Sequence, residues 1–455
     1  MNTYMSALSD RYGSKSMRER FSRHQKYRVW RECWIALAKA QHQAGLNITL
    51  DQIQEMQANI DVFDWEQLDR LEASLKHDVM AHIHYFAQIC PSAAPIIHLG
   101  ATSAFVSDNG EMLQFIGALH ELEEDIIEIR HHLMRFILAT AHVPTLGYTH
   151  YQVAQPTTIG KRFAMYLQDM DLVLDHLRYT TSTLKALGLK GTTGTQASFL
   201  ALVNHDEEVV RKIEADVMNI LGLETIMIAG QTNTRMMDVK LAHVCEMIGA
   251  AAGKFAQDMR LMMHDGIVSE PFGQHQVGSS AMPYKRNPIL SEKISGLSRK
   301  LILDCSNAAL TTSTQWLERS LDDSSNRRLM MSEIFIVSSE ITQSMIKITS
   351  GCVLNVQVNQ RLLEEQLILL SIENILMACV KAGGDRQHWH EVLRTLSLHH
   401  RQSGSMSSFM DELMQTPGFK LTQEQMKEAM NPSHLIGLAQ SQAINYVKES
   451  QMNYD

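Results

Sequence analysis

Proline placement constrains this chain more than any other feature. The 455 residues contain nine prolines, with none between Pro156 and Pro271 and none between Pro288 and Pro417. A proline inside a helix removes a hydrogen bond and clashes with the preceding turn, at about 3 kcal/mol. Proline-free spans of this length therefore permit very long helices. The apolar spacing asks for them. Met112, Phe115, Ile116, Leu119, Leu122, Ile126, Ile129, Leu133, Phe136 and Ile137 advance in steps of three, four and one, the stripe of an amphipathic helix. Glu121, Glu123, Glu124, Asp125 and Glu128 lie around that stripe and read as its solvated face. No sustained alternation of β-branched residues occurs, so strands are expected to be short.

These patterns predict an all-α fold of three helical domains. Residues 1–101 read as short helices ending near Pro91, Pro95 and the turn-like His98-Leu99-Gly100-Ala101-Thr102-Ser103. Residues 102–355 read as a central long-helix bundle, interrupted by loops at 144–156, 190–198, 229–235 and 271–291. Residues 356–455, punctuated by Gly383-Gly384 and Pro417-Gly418, read as a small helical C-terminal domain. A bundle with few loops often completes its core by oligomerising.

Composition narrows the function. A formal net charge of -9 argues against non-specific nucleic-acid binding, which needs a basic footprint. Any anionic ligand must be met by locally clustered Arg and Lys. No apolar run is long enough to cross a bilayer. The first residues, with Arg11, Lys15, Arg18 and Arg20 among polar neighbours, lack the apolar core of a secretory signal. Cys33, Cys90, Cys245, Cys305, Cys352 and Cys379 form no CxxC pair, which fits reduced cytoplasmic thiols.

Chemistry is expected in the loop at 271–291, a long irregular segment in a chain otherwise built of helices. Glycines, serines and prolines there lead into Lys285-Arg286-Asn287, a composition suited to holding an anion, although a plain basic surface loop would share it. Its core, Gly278-Ser279-Ser280-Ala281-Met282-Pro283-Tyr284-Lys285-Arg286-Asn287-Pro288, closely resembles the signature loop of the fumarase/aspartase superfamily, GSSxMPxKxNP.

Further segments from end to end resemble one family within it, the adenylosuccinate lyases, and most closely the branch that includes the animal enzymes. They are Ser9-Asp10-Arg11-Tyr12, the run from Lys76 to His82, the run from His98 to Ser103, and Gly147-Tyr148-Thr149-His150-Tyr151-Gln152. Lys190 to Gln196, Gly230-Gln231-Thr232, and Glu318 to Arg328 continue the series. Tyr284 and the run Asp322-Asp323-Ser324-Ser325-Asn326-Arg327-Arg328 separate it from fumarase, aspartase and argininosuccinate lyase.

The resemblance implies a carbon–nitrogen lyase of purine nucleotide biosynthesis. It would eliminate fumarate from adenylosuccinate, giving AMP, and from its imidazole-carboxamide analogue SAICAR, giving AICAR. Such a reaction needs a base, a cationic clamp for a dianionic carboxylate, and an acid for the leaving nitrogen. By resemblance the base is Ser279, with Ser280 the alternative, and the general acid is His150, tuned by Glu292. Lys285 and Asn287 would hold the succinyl carboxylate, and His77 would orient the nucleotide end. Arg11, Tyr12, Arg319, Ser324 and Arg328 match phosphate and purine contacts, with Lys76, Asp78 and Lys293 beside the ligand. Thr102 and Ser103 match carboxylate-binding hydroxyls, and Gln231 a ligand-contacting amide. No cofactor and no metal are implied. The expected partners are a small nucleotide substrate and three further copies of the chain, in a homotetramer whose active sites are each shared by three subunits.

Several other readings compete. His77, His82 and His84 could ligate a metal, although two of them lie at i, i+2, poor spacing on a helix. Arg319, Arg327 and Arg328 could be surface salt bridges. Gly191-Thr192-Thr193-Gly194-Thr195 looks like a phosphate loop but lacks the GxxxxGK[ST] order. The chain also departs from the family pattern at three places. Val153 replaces a common proline, Lys76 a more usual arginine, and Leu438 a frequent arginine. A different lyase of the superfamily, such as an argininosuccinate lyase, is the alternative enzyme, and a non-catalytic helical protein the alternative from another class.

Overall fold

The computed structural model describes residues 4–273, 276, 278, 281–282, 284–403 and 408–454, with the side chains of 401–403 left out. It is all-helical, as the proline spacing predicts. The longest helices are Ser103–Thr140, Ile159–Thr183, Met236–His264, Ile289–Ser313, Asp322–Gly351 and Val356–Lys381. The described strands are two-residue pairs: Pro144–Thr145 with Thr157–Thr158, Tyr148–Thr149 with Gln152–Val153, and Val268–Ser269 with Val353–Leu354, all antiparallel. No helix among the described residues is long and apolar enough to cross a membrane.

Short polar residues start the helices, as capping chemistry requires. The Ser22 and Asp64 side chains accept from the amides of Gln25 and Gln67, and Thr49 forms a full capping box with Gln52. Packing divides the chain into two compact units. One comprises Met1–Ile127, Val173–Gly253 and Ile294–Ser344; the other comprises Glu128–Leu172, Lys254–Lys293 and Met345–Asp455.

In the first unit the predicted apolar stripe is inside, with Phe115, Leu119, Leu122 and Ile126 buried. Phe115 stacks on Phe335 at 5.6 Å, and Phe335 on Phe21 at 5.7 Å. The acidic residues beside the stripe are less solvated than expected. Asp125 is buried and accepts from Thr342 Oγ1 (2.5 Å) and Gln343 Nε2 (2.7 Å), while Glu123 pairs with Arg178 at 2.6 Å. Their partners come from helices far away in sequence, which helical periodicity cannot reveal.

The second unit buries a charge of its own. Arg130 Nε donates to Asp171 (2.6 Å), whose other oxygen accepts from Tyr446 and Ser450, each at 2.8 Å. Gly160 lies in the first turn of the helix Ile159–Thr183, where an added Cβ would lie 2.6 Å from Ala141 Cα, so only glycine allows that approach. Towards the C-terminus, Ile375, Leu376, Trp389, Leu393, Phe409 and Leu413 form a separate apolar cluster.

Candidate active site

In the first unit, the expected site residues gather around one helix start. Helix Trp65–Leu75 ends on Lys76 in the left-handed region (φ 53°), and the chain re-enters a helix at Asp78. His77 is the N-cap between them, and its Nδ1 accepts from the Met80 amide at 3.3 Å. That bond leaves the proton on Nε2, which faces Ser103 Oγ at 3.4 Å. Ser103 opens the helix Ser103–Thr140, directly after Thr102. Asp78 accepts from the Val79 amide and lies 3.8 Å from the exposed Arg328. His77, Asp78, Ser103 and Arg328 thus meet although 251 positions separate the outermost pair (328 − 77).

A second cluster in the same unit holds the other arginines. Gln231 is tied by its amide to the Glu318 carbonyl (3.0 Å), and Arg319 pairs with the buried Asp323 at 3.1 Å. Asp323 also takes Arg235 Nε at 2.7 Å, and Arg235 reaches Asp108 at 3.1 Å. Arg327, read above as a possible surface ion pair, is buried on Asp238 (2.6 Å) and Glu111 (2.8 Å). Burial opposes the charge on Asp108, but Arg235, Arg327 and the Asn233 amide hold its pKa below the ordinary carboxylate value. Ser324 and Arg328 therefore ride on the helix Asp322–Gly351, whose first turns are pinned by buried ion pairs, and Arg319 sits in the turn just before it. The pinning residues Asp108, Arg235 and Asp238 carry no signal in the sequence, because charges inside an amphipathic pattern look like surface.

Arg11 caps the short helix Ala7–Asp10, followed by Tyr12 and by Gly13 at φ 79°. The Gly13 amide donates to Glu340 at 2.9 Å, and a Cβ there would lie 2.7 Å from Ile336 Cγ2.

The three-histidine metal reading does not hold in the geometry. His77 is the exposed N-cap, His84 is exposed, and His82 is buried, stacked on Tyr27 at 3.6 Å. Burial, with Arg31, Arg23 and Lys26 nearby, lowers the His82 pKa to about 3. His98 is a further histidine of interest. At φ 66°, its Nδ1 accepts the indole N–H of buried Trp34 (2.9 Å). Burial first, then His77, lowers its pKa to about 4, so it is a neutral Nε2–H donor at neutral pH.

In the second unit, His150 lies at the tip of the hairpin made by Tyr148–Thr149 and Gln152–Val153. His150 and Tyr151 both have positive φ, 50° and 58°, the pattern of a type I′ turn normally filled by Asn-Gly. Two L side chains in that geometry are strained, a feature found where function fixes a conformation. The His150 ring is exposed and makes no hydrogen bond or ion pair among the described residues. Val153, the departure from proline, pairs with Tyr148 in this hairpin.

Ser279 and Ser280 lie outside the described residues. Around them, Asn287 Nδ2 donates to the Gly278 carbonyl (2.9 Å), and the Lys285 amide to Met282 O (3.0 Å). A Cβ at Gly278 would lie 2.1 Å from Lys285 O, so this crossing requires glycine. Lys285 is exposed, with its cation available to a ligand. Glu292 and Lys293 occupy the first turn of the helix Ile289–Ser313, and Glu292 is exposed. Glu292 and His150 are not bonded to each other within the chain, so the expected pair is not made by one copy alone.

Residues 5–303 match a family model described as lyase, and residues 369–445 one described as adenylosuccinate lyase C-terminus. The chain is 35% identical to the adenylosuccinate lyase of Saccharomyces cerevisiae, over 99% of this chain and 95% of the relative. It is 37% identical to that of Schistosoma mansoni, over 96% and 93%. Its fold is similar to a 3-carboxy-cis,cis-muconate lactonizing enzyme from Pseudomonas putida, with TM-score 0.87, 22% identity, and 98% and 99% of the two chains covered. The chain belongs to the adenylosuccinate lyase family, in the fumarase/aspartase superfamily.

Proposed function

We propose that this protein cleaves adenylosuccinate to AMP and fumarate, and SAICAR to AICAR and fumarate. The observation that carries the reading is similarity over essentially the whole chain to curated adenylosuccinate lyases. Ser279, reacting as its alkoxide, takes the proton from the succinyl carbon beside a carboxylate and becomes the neutral hydroxyl. Lys285 and Asn287 stabilise the charge that builds on that carboxylate. The carbon–nitrogen bond then breaks, and His150 gives the departing nitrogen its proton, with Glu292 as its carboxylate partner. His77, presenting Nε2–H beside Ser103 and Thr102, orients the substrate. Arg11, Tyr12, Lys76, Asp78, Gln231, Lys293, Arg319, Ser324 and Arg328 bind its nucleotide and succinyl ends. Acid, base and cationic clamp suffice for the elimination as written, without a cofactor.

We further infer a homotetramer in which three subunits build each site. Leu303, Leu310, Trp316, Leu317, Leu321 and Leu329 are exposed apolar residues on two helices and their connection, more than a lone monomer leaves open. His150 and Glu292, without a side-chain bond among the described residues, would acquire partners across copies.

The test is a spectrophotometric assay following loss of adenylosuccinate with release of AMP and fumarate. Ser279→Ala and His150→Ala should each lower kcat on the order of a hundredfold. Mixing the two inactive variants should restore activity, because a mixed tetramer contains sites with both groups intact. Unchanged rates in the single variants would refute the assigned roles, and failure of mixing would refute shared sites.

A further inference from the structure

The buried carboxylate of Glu270 has no place in the chemistry above, yet it makes three hydrogen bonds. Its Oε2 accepts from the Leu290 amide (3.0 Å), and its Oε1 accepts from the Ser291 amide (2.7 Å) and the Ser291 hydroxyl (2.5 Å). Glu270 immediately precedes the segment 271–288, and Leu290 and Ser291 immediately follow it. One side chain therefore ties the two ends of the signature loop together at its base.

The base is itself anchored. Glu270 follows the strand Val268–Ser269, which pairs with Val353–Leu354. Pro271 packs so closely on Gly351 that a Cβ there would lie 2.7 Å from the proline ring. Two of the donors are amides in the first turn of the helix Ile289–Ser313, where a carboxylate is favoured by the unpaired N–H groups and by the helix dipole. Glu292 and Lys293 are the next residues of the same turn. Ser291 is fully buried and Glu270 nearly so, so water cannot replace these bonds.

We propose that Glu270 is a positioning residue for catalysis: it fixes the base of the signature loop and the helix turn that presents Glu292 and Lys293. The proposal rests on the reading that this loop and turn carry catalytic groups. It also requires a carboxylate. Glutamine has the same shape, but either amide orientation sets its NH2 against a backbone N–H, at Leu290 or at Ser291.

The test uses the full-length enzyme and the Glu270→Gln variant. Hydrogen exchange read by mass spectrometry should accelerate about tenfold or more in peptides covering 289–293, with little change in the C-terminal cluster around Trp389, as loss of one charge-assisted bond predicts. The kcat for adenylosuccinate, per folded enzyme by circular dichroism, should fall about tenfold or more with KM within about twofold. Ser291→Ala, which removes one of the three donors, should shift both readouts the same way by less, and it serves if Glu270→Gln does not fold. Unchanged local exchange, exchange raised equally everywhere, or local loosening at unchanged kcat would each overturn the proposal. If the wild-type enzyme did not cleave adenylosuccinate, the functional reading would fail instead, and the exchange measurement would still decide the clamp.

Discussion

Replacing His82 by phenylalanine should make the helix Asp78–Ile89 far less sensitive to acid. The imidazole is 2% exposed, stacked on Tyr27, edge-on to Trp30, and its buried Nε2 has no hydrogen-bond partner. Its pKa in the folded chain is about 3 against an ordinary 6.5, because burial and then Arg31, Arg23 and Lys26 oppose a charge there while Asp69 weakly favours it. Between those two values the unfolded chain binds a proton that the folded chain refuses. Stability therefore falls as pH drops from 6.5 towards 3, and is fully retained above 6.5. At pH 5 the gap is 1.5 pH units, or about 2 kcal/mol at 1.36 kcal/mol per unit. Phenylalanine keeps the stack on Tyr27 and cannot be protonated. The assay is hydrogen exchange of amides in 78–89, corrected for the intrinsic effect of pH. Between pH 7.5 and 5 the wild-type helix should open about 30-fold more readily, and the variant's change should be smaller by nearly that factor. Equal pH dependence in the two proteins would refute the reasoning. His98, also with a lowered pKa, remains in both proteins and cancels in the comparison.

Two further outcomes test the packing that holds the site. Asp108→Ala leaves the buried Arg235 with Asp323 alone and the Asn233 amide without an acceptor, and should destabilise by about 3–5 kcal/mol; chemical denaturation reads it, and a loss below about 1 kcal/mol would refute the network. Gly160→Ala drives a methyl to within 2.6 Å of Ala141 Cα and should cost about 1–3 kcal/mol, visible as a lower melting temperature without a change in KM.

The sequence announced the fold because long helices depend on local rules. Proline-free spans and a three-four apolar step act within a few residues, and Phe115, Leu119, Leu122 and Ile126 are buried as that step requires. Pairing between distant segments has no local rule. Asp125 reads as one more solvated acid until Thr342 and Gln343 appear beside it. Arg327 reads as a surface cation until its helix packs against Glu111 and Asp238. Glu270 has no signal at all, because a carboxylate that caps a helix some twenty residues later breaks every short-range capping pattern.

The chemical residues were legible for a different reason. They stand out as a string because they match a family motif, and the roles proposed for them would leave several without a permanent partner. Among the described residues His150 and Glu292 make no side-chain bond, and Lys285 is exposed. A side chain selected only for stability would not pair an exposed histidine with a strained, glycine-free I′ turn, since about 1–2 kcal/mol per residue opposes the left-handed backbone. The strain at His150 and Tyr151 is therefore informative in itself. It fits the acid role proposed for His150, in which the direction of the ring matters more than the stability of the hairpin that carries it, and it contrasts with the buried, fixed pairs Arg130–Asp171 and Arg235–Asp323.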